Sequence, residues 1–138
     1  MRKYYLFIIK NEYIIKNKSY GIFKMLKKIY YLKSYDFSYG INIYRELCLP
    51  FSVNLLNNYL DKRISHKKIN NKLIKIQDEN TYLQLMYPCV IIKTNQNIPK
   101  ILKIFHIYNR NIFICDFDND DYFWLNDYFN STLKKINI

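Results

Sequence analysis

Tyr4-Tyr5-Leu6-Phe7-Ile8-Ile9 is the stretch on which the fold depends. It is aromatic and β-branched, runs without alternation and is bounded by Lys3 and Lys10, which predicts a strand buried on both faces in the middle of a sheet. Downstream, Ser19 is placed to cap a helix in which Ile22, Phe23, Leu26 and Ile29 or Tyr30 recur at helical spacing, with Lys24, Lys27 and Lys28 on the solvated side. Tyr35 to Gly40 has turn chemistry. Ile41 to Leu47 then alternates, which predicts a half-exposed strand with Ile41, Ile43, Arg45 and Leu47 on one face and Asn42, Tyr44 and Glu46 on the other.

Pro50 ends that strand and suits the first turn of a helix carrying Val53, Leu56, Tyr59 and Leu60 inward. Asp61 to Lys72 is the most polar stretch and reads as a mobile loop. Leu73 to Gln77 and Tyr82 to Tyr87 flank Asp78-Glu79-Asn80 as a hairpin, and Cys89 to Thr94 follows as a further strand. Asn97 is placed to cap a helix with Pro99 in its first turn and Ile98, Ile101, Leu102 and Phe105 on one stripe. Asn111 to Phe117 is the last strand, and the aromatic tail Tyr122 to Leu125 must cover something apolar. The expected fold is α+β, a single mixed, largely antiparallel sheet flanked by about three helices in the order β-α-β-α-β-β-β-α-β.

The chain has 138 residues, half of them hydrophobic, enough for a single domain over 1–138. Its longest uncharged stretches, Leu47 to Leu60 and Asn80 to Ile92, fall short of the roughly 20 residues that span a bilayer. Met1-Arg2-Lys3 before an apolar run has the outline of a leader, but no small-residue cleavage site follows Lys10, so a cytoplasmic protein is expected. The two glycines cannot build a phosphate-cradling loop.

The net charge of +11 points ordinarily to nucleic acid or an anionic membrane. Composition tempers this inference. Ile, Lys, Asn and Tyr fill 72 of 138 positions, Ala is absent, and there are 18 Lys but only four Arg. AT-rich coding accounts for much of that lysine, whereas Arg, the better reader of phosphates and base edges, is scarce.

Cys48, Cys89 and Cys115 are an odd set with apolar neighbours and read as buried reduced thiols; only spatial proximity to His66 or His106 would make a nucleophile pair. Asp116, Asp118, Asp120 and Asp127 occupy positions one, three, five and twelve of a calcium-loop frame. Position six is Asp121 where that loop needs Gly, and a strand precedes it, so the residues read as a solvated turn. Neither a metal nor a cofactor is expected.

At its two ends the chain resembles the sporulation inhibitor of replication family, SirA. The N-terminal likeness is Tyr4-Tyr5, an apolar strand, then Lys10, Glu12 and Tyr13; the C-terminal likeness is Ile112 to Cys115, Asp116-Phe117, four polar residues and Tyr122-Phe123-Trp124-Leu125-Asn126. The Tyr44 to Pro50 spacing and the helix from Ile98 run in parallel. The resemblance implies a non-enzymatic regulator, a monomer that forms a one-to-one complex with the N-terminal domain of the replication initiator DnaA and stops the origin from firing at the onset of sporulation. It also implies partner-binding positions. Tyr13 stands where the family has a Phe and Tyr44 where it has a Tyr, while Asn17 replaces a second aromatic, with Tyr20 as a nearby substitute, and Ile41 replaces a Gln. No direct nucleic-acid or membrane contact is expected on this reading. The alternative is a basic nucleic-acid-binding module acting through Lys62, Arg63, Lys67, Lys68, Lys72 and Lys75.

Overall fold

The computed structural model describes residues 1–16, 18–31, 37–97 and 99–129. The apolar run at the N-terminus forms strand β1 (Arg2–Ile9), and from Tyr4 onward every residue of it is buried. Its two faces feed two cores. Tyr4, Leu6 and Ile8 join one cluster, and Tyr5, Phe7 and Ile9 join the other. A strand with no solvent face needs apolar residues at successive positions, which is why the run does not alternate.

The chain continues through α1 (Asn11–Lys16), α2 (Ser19–Tyr30), α3 (Phe37–Leu47), the two-residue strand β2 (Cys48–Leu49) and α4 (Val53–Asp61). Four strands follow, β3 (His66–Lys68), β4 (Leu73–Ile76), β5 (Thr81–Leu85) and β6 (Val90–Thr94), then α5 (Ile101–Tyr108), β7 (Ile112–Asp116) and β8 (Asp121–Trp124). Residues 117–119 form a 3-10 turn and 125–129 are helical. Among the described residues the eight strands make one sheet in the order β3-β4-β5-β6-β1-β7-β8, with β2 paired to β1 at Ile8 and Ile9. The α+β class stands. Every pairing is antiparallel, so the sheet is not mixed.

The expected strand over Ile41 to Leu47 is a helix, α3. Its burial follows a helical period, with Gly40 and Leu47 buried, Tyr44 half-buried between them, and Asn42, Arg45 and Glu46 exposed. Isoleucines at 41 and 43 satisfy a period of two as well, and tertiary packing overrides their β preference. β6 and β7, joined by α5, both run antiparallel to β1, which lies between them, so this β-α-β crossover leaves no two parallel strands hydrogen-bonded. The turn expected over Tyr35 to Gly40 falls partly outside the described residues, and 37–40 are helical.

Three element starts also differ. Lys18, not Ser19, holds the N-cap position of α2 and makes no side-chain capping bond; Ser19 is the first helical residue, and its hydroxyl accepts from Trp124 Nε1 at 2.8 Å. Ser52 caps α4 by accepting from the Leu55 amide, which leaves Pro50 outside the helix. The last long helix starts at Ile101 behind Lys100, with Ile98 outside the described residues, yet Ile101, Leu102 and Phe105 form its buried stripe as their spacing predicts. The polar stretch 61–72 carries β3, whose His66 and Lys68 are tied to Asp61 at 3.1 and 2.9 Å.

The expected β4–β5 hairpin forms, with Asp78 in the left-handed region at φ 62°. Asp tolerates that conformation because its short polar side chain bonds locally. The aromatic tail becomes β8 and closes the sheet: Tyr122 stacks on Phe23 of α2 at 4.8 Å and Trp124 meets Phe113 edge-on at 4.7 Å. The core therefore has two layers, one between the sheet and α4 and α5, the other between the sheet and α2.

Candidate partner-docking site

The sheet face of Tyr5, Phe7 and Ile9 is buried over β1 and β7 and at Ile91 of β6, and among the described residues the helices beside it leave an opening. Between β1, α2, α3 and the bend at Tyr87-Pro88 lies an apolar groove of about 770 Å³. Tyr5, Phe7, Leu26 and Ile29 form its floor and far wall, Ile41 and Tyr44 its near wall, and Lys10 and Arg45 stand at its edge. Volumes of 300–1,000 Å³ with an apolar lining and few polar groups are typical of binding sites.

Tyr44 is half-buried, and its hydroxyl donates its one proton to the Pro88 carbonyl at 2.9 Å, with the Leu49 carbonyl a second acceptor at 3.3 Å. Burial pushes that hydroxyl well above the ordinary tyrosine range. The ring is thus a fixed wall, held by the loop beyond it. Ile41, one turn earlier on α3, is also half-buried and lines the same groove.

Tyr13 reaches α3 by another route. Lys10 lies between β1 and α1, and its carbonyl accepts from the Tyr13 amide at 3.0 Å, so α1 starts directly off the central strand. The Tyr13 hydroxyl donates to Glu46 Oε2 at 3.3 Å. Partial burial first, then the Glu46 charge and hydrogen bond, raise the Tyr13 hydroxyl above its usual range. Residues two apart on a helix do not face each other, so Tyr13 meets α3 on a different side from Tyr44. The two rings flank α3, with Asn42, Arg45 and Glu46 exposed along its crest. Asn17 lies outside the described residues. Tyr20 is 57% exposed but belongs with Tyr122 and Lys24, whose ammonium lies 5.2 Å from its ring.

Two groove residues escape sequence reading. Leu49 and Tyr87 are 46% and 66% exposed at the rim, large apolar side chains next to the fixed Tyr44 ring. A Pro following each, Pro50 and Pro88, marks an irregular backbone but does not signal an exposed apolar edge.

No protein-family model matches this chain, and no curated protein matches it.

The remaining candidates sort by position. Cys48, Cys89 and Cys115 are free and buried in the cluster under α2, and burial holds all three thiols high, Cys89 pushed up to about 12. His66 sits at the β3 edge with Nδ1 on the Ile64 carbonyl at 2.7 Å and Nε2 on Asp61, and His106 stacks on Phe129 at 4.9 Å by the opposite core. Neither joins the cysteines. Asp116 accepts from the amide and the side chain of Asn119, and Asp120, at φ 54°, pairs with Lys27. Among the described residues no three metal-ligating side chains converge. Of the lysine-rich set, Lys68 pairs with Asp61 and the Arg63 guanidinium lies 3.8 Å from the Tyr59 ring, while Lys67 and Lys75 face each other on β3 and β4. Among the described residues no helix is long and apolar enough to cross a membrane.

Proposed function

We propose that this chain is a cytoplasmic protein-interaction regulator of the SirA type that binds the N-terminal domain of the initiator DnaA one-to-one and blocks initiation at the onset of sporulation. The carrying observation is that α3 bears Ile41 and Tyr44 on one flank and receives Tyr13 on another, beside an open apolar groove. A partner that straddles α3 reaches all three. Protein interfaces draw most of their energy from a few anchors, often aromatic, seated in or beside a pocket, and a tyrosine already held by a hydrogen bond loses little side-chain entropy on binding.

Co-purification with the N-terminal domain of its own host's initiator tests the reading. Tyr13→Ala weakens the complex by about 1 to 4 kcal/mol if the ring is an anchor, without a matching fall in melting temperature. Failure of the wild-type chain to capture that domain, or unchanged affinity in both Tyr13→Ala and Ile41→Ala, removes the proposal.

A further inference from the structure

The face of the sheet that bears Tyr5 carries, from β3 to β1, a row of side chains in strict cross-strand register. Lys67 on β3 is opposite Lys75 on β4, Lys75 is opposite Tyr82 on β5, Tyr82 is opposite Lys93 on β6, and Lys93 is opposite Lys3 on β1. Directly opposed residues share a face, and this is the face of Tyr5 that α2 covers only farther along the sheet. Lys67, Lys75 and Lys93 are exposed, and Lys3 and Tyr82 are half-exposed. Five residues at strand spacings of about 4.8 Å span about 19 Å.

We infer that this row is a docking track for single-stranded nucleic acid. AT-rich coding sets how many lysines the chain has, not that four of them stand in one row across five strands. The arrangement also opposes folding, because like charges directly opposite each other destabilise a sheet and here occur twice, at Lys67–Lys75 and Lys93–Lys3. No carboxylate relieves them: among the described residues none of the four forms an ion pair. Glu79, in the adjoining turn, is occupied by the Thr81 hydroxyl and the Lys100 amide.

A chain of phosphates supplies the missing charge. The ring at the middle of the row selects the form of nucleic acid: Tyr82 is half-exposed with the Lys75 ammonium 5.9 Å from its centroid, which suits stacking of an unpaired base beside a neutralised phosphate. A duplex hides its base faces and offers that ring nothing to stack on. The row has no exposed large aliphatic side chain with which to enter a bilayer. This inference does not rest on the initiator reading.

The test is fluorescence anisotropy of the full chain with labelled oligothymidylate at low salt, alongside a duplex of equal length, phosphatidylserine vesicles and polyglutamate. Four neutralised phosphates give a log–log salt slope of about −3, at about 0.7 per phosphate. Lys67→Gln/Lys93→Gln halves the slope and lowers affinity at least about tenfold. Tyr82→Ser lowers affinity about tenfold with the slope unchanged, and Tyr82→Phe restores it. Lys62→Gln/Lys72→Gln, off the row, changes neither. The lysine variants melt at or above the wild-type temperature, because they remove opposed like charges. Absence of binding at low salt, an equal loss in the off-row pair, or tighter binding to the duplex, the vesicles or polyglutamate overturns the inference.

Discussion

The indole Nε1 of Trp124 donates to the hydroxyl of Ser19 at 2.8 Å, joining the last strand to the first turn of α2 across 105 positions of sequence. Ser19, the first residue of α2, thus turns its hydroxyl to β8. The bond fixes α2 against the end of the sheet, where Phe23 and Tyr122 stack. Ser19→Ala leaves a partly buried N–H without its partner and is expected to cost about 1 to 3 kcal/mol. Trp124→Phe together with Ser19→Ala costs less than the sum of the two single changes. Urea denaturation of the four proteins of this cycle measures the coupling, and additive costs would show that the bond contributes nothing.

Tyr44 separates packing from binding. Tyr44→Phe removes the hydrogen bond to the Pro88 carbonyl but keeps the ring in the groove wall. Stability falls by about 1 kcal/mol, and affinity for a groove-seated partner stays within about threefold. Tyr44→Ala opens the wall and lowers both. Calorimetry on the two variants distinguishes a binding ring from a merely structural one.

Gly21 lies in the first turn of α2 with no positive φ, and a Cβ built there meets nothing within 4 Å. Gly21→Ala should therefore raise stability by about 0.5 to 1 kcal/mol, chiefly by restricting the unfolded chain. A lowered melting temperature would contradict the open surroundings of that position.

The buried thiols set an alkaline limit. Each cysteine is raised above its ordinary value of 9.0 by burial, Cys89 to about 12. A folded-state pKa above the unfolded one stabilises the fold fully below pH 9 and is lost as pH climbs through the folded value. Native protein at pH 8 should thus resist a thiol-specific disulfide reagent, and all three cysteines should react once denaturant is added. Rapid labelling of any of them in the native state would place that thiol in solvent.

Elements whose burial is decided locally were legible from the amino-acid order. The unbroken apolar run of β1 and the stripes of α2 and α5 each carry their own period, and the structure repeats them; the hairpin at Asp78 also forms, with a connection of four residues, 77–80, in place of the three read from the sequence. Where one pattern satisfies two periods, order alone does not choose: Ile41 and Ile43 fit a strand, yet Gly40, Tyr44 and Leu47 turn inward as a helix because the sheet offers that segment a face and not an edge. β3 was illegible for a related reason, since a three-residue polar strand exists only through its partner β4.

The candidate sites divide in the same way. Tyr13, Ile41 and Tyr44 could be named from the chain, but that two of them line one groove while the third bonds to Glu46 on another side of α3 is a matter of packing between distant segments. The lysine row is the extreme case. Its members come from positions 3, 67, 75, 82 and 93, and only the register of five strands puts them in line. Side-chain periodicity is a property of neighbours along the backbone, whereas register is settled by hydrogen bonds between strands. Composition and period thus specified the elements, and tertiary pairing alone specified which charges and rings share a surface.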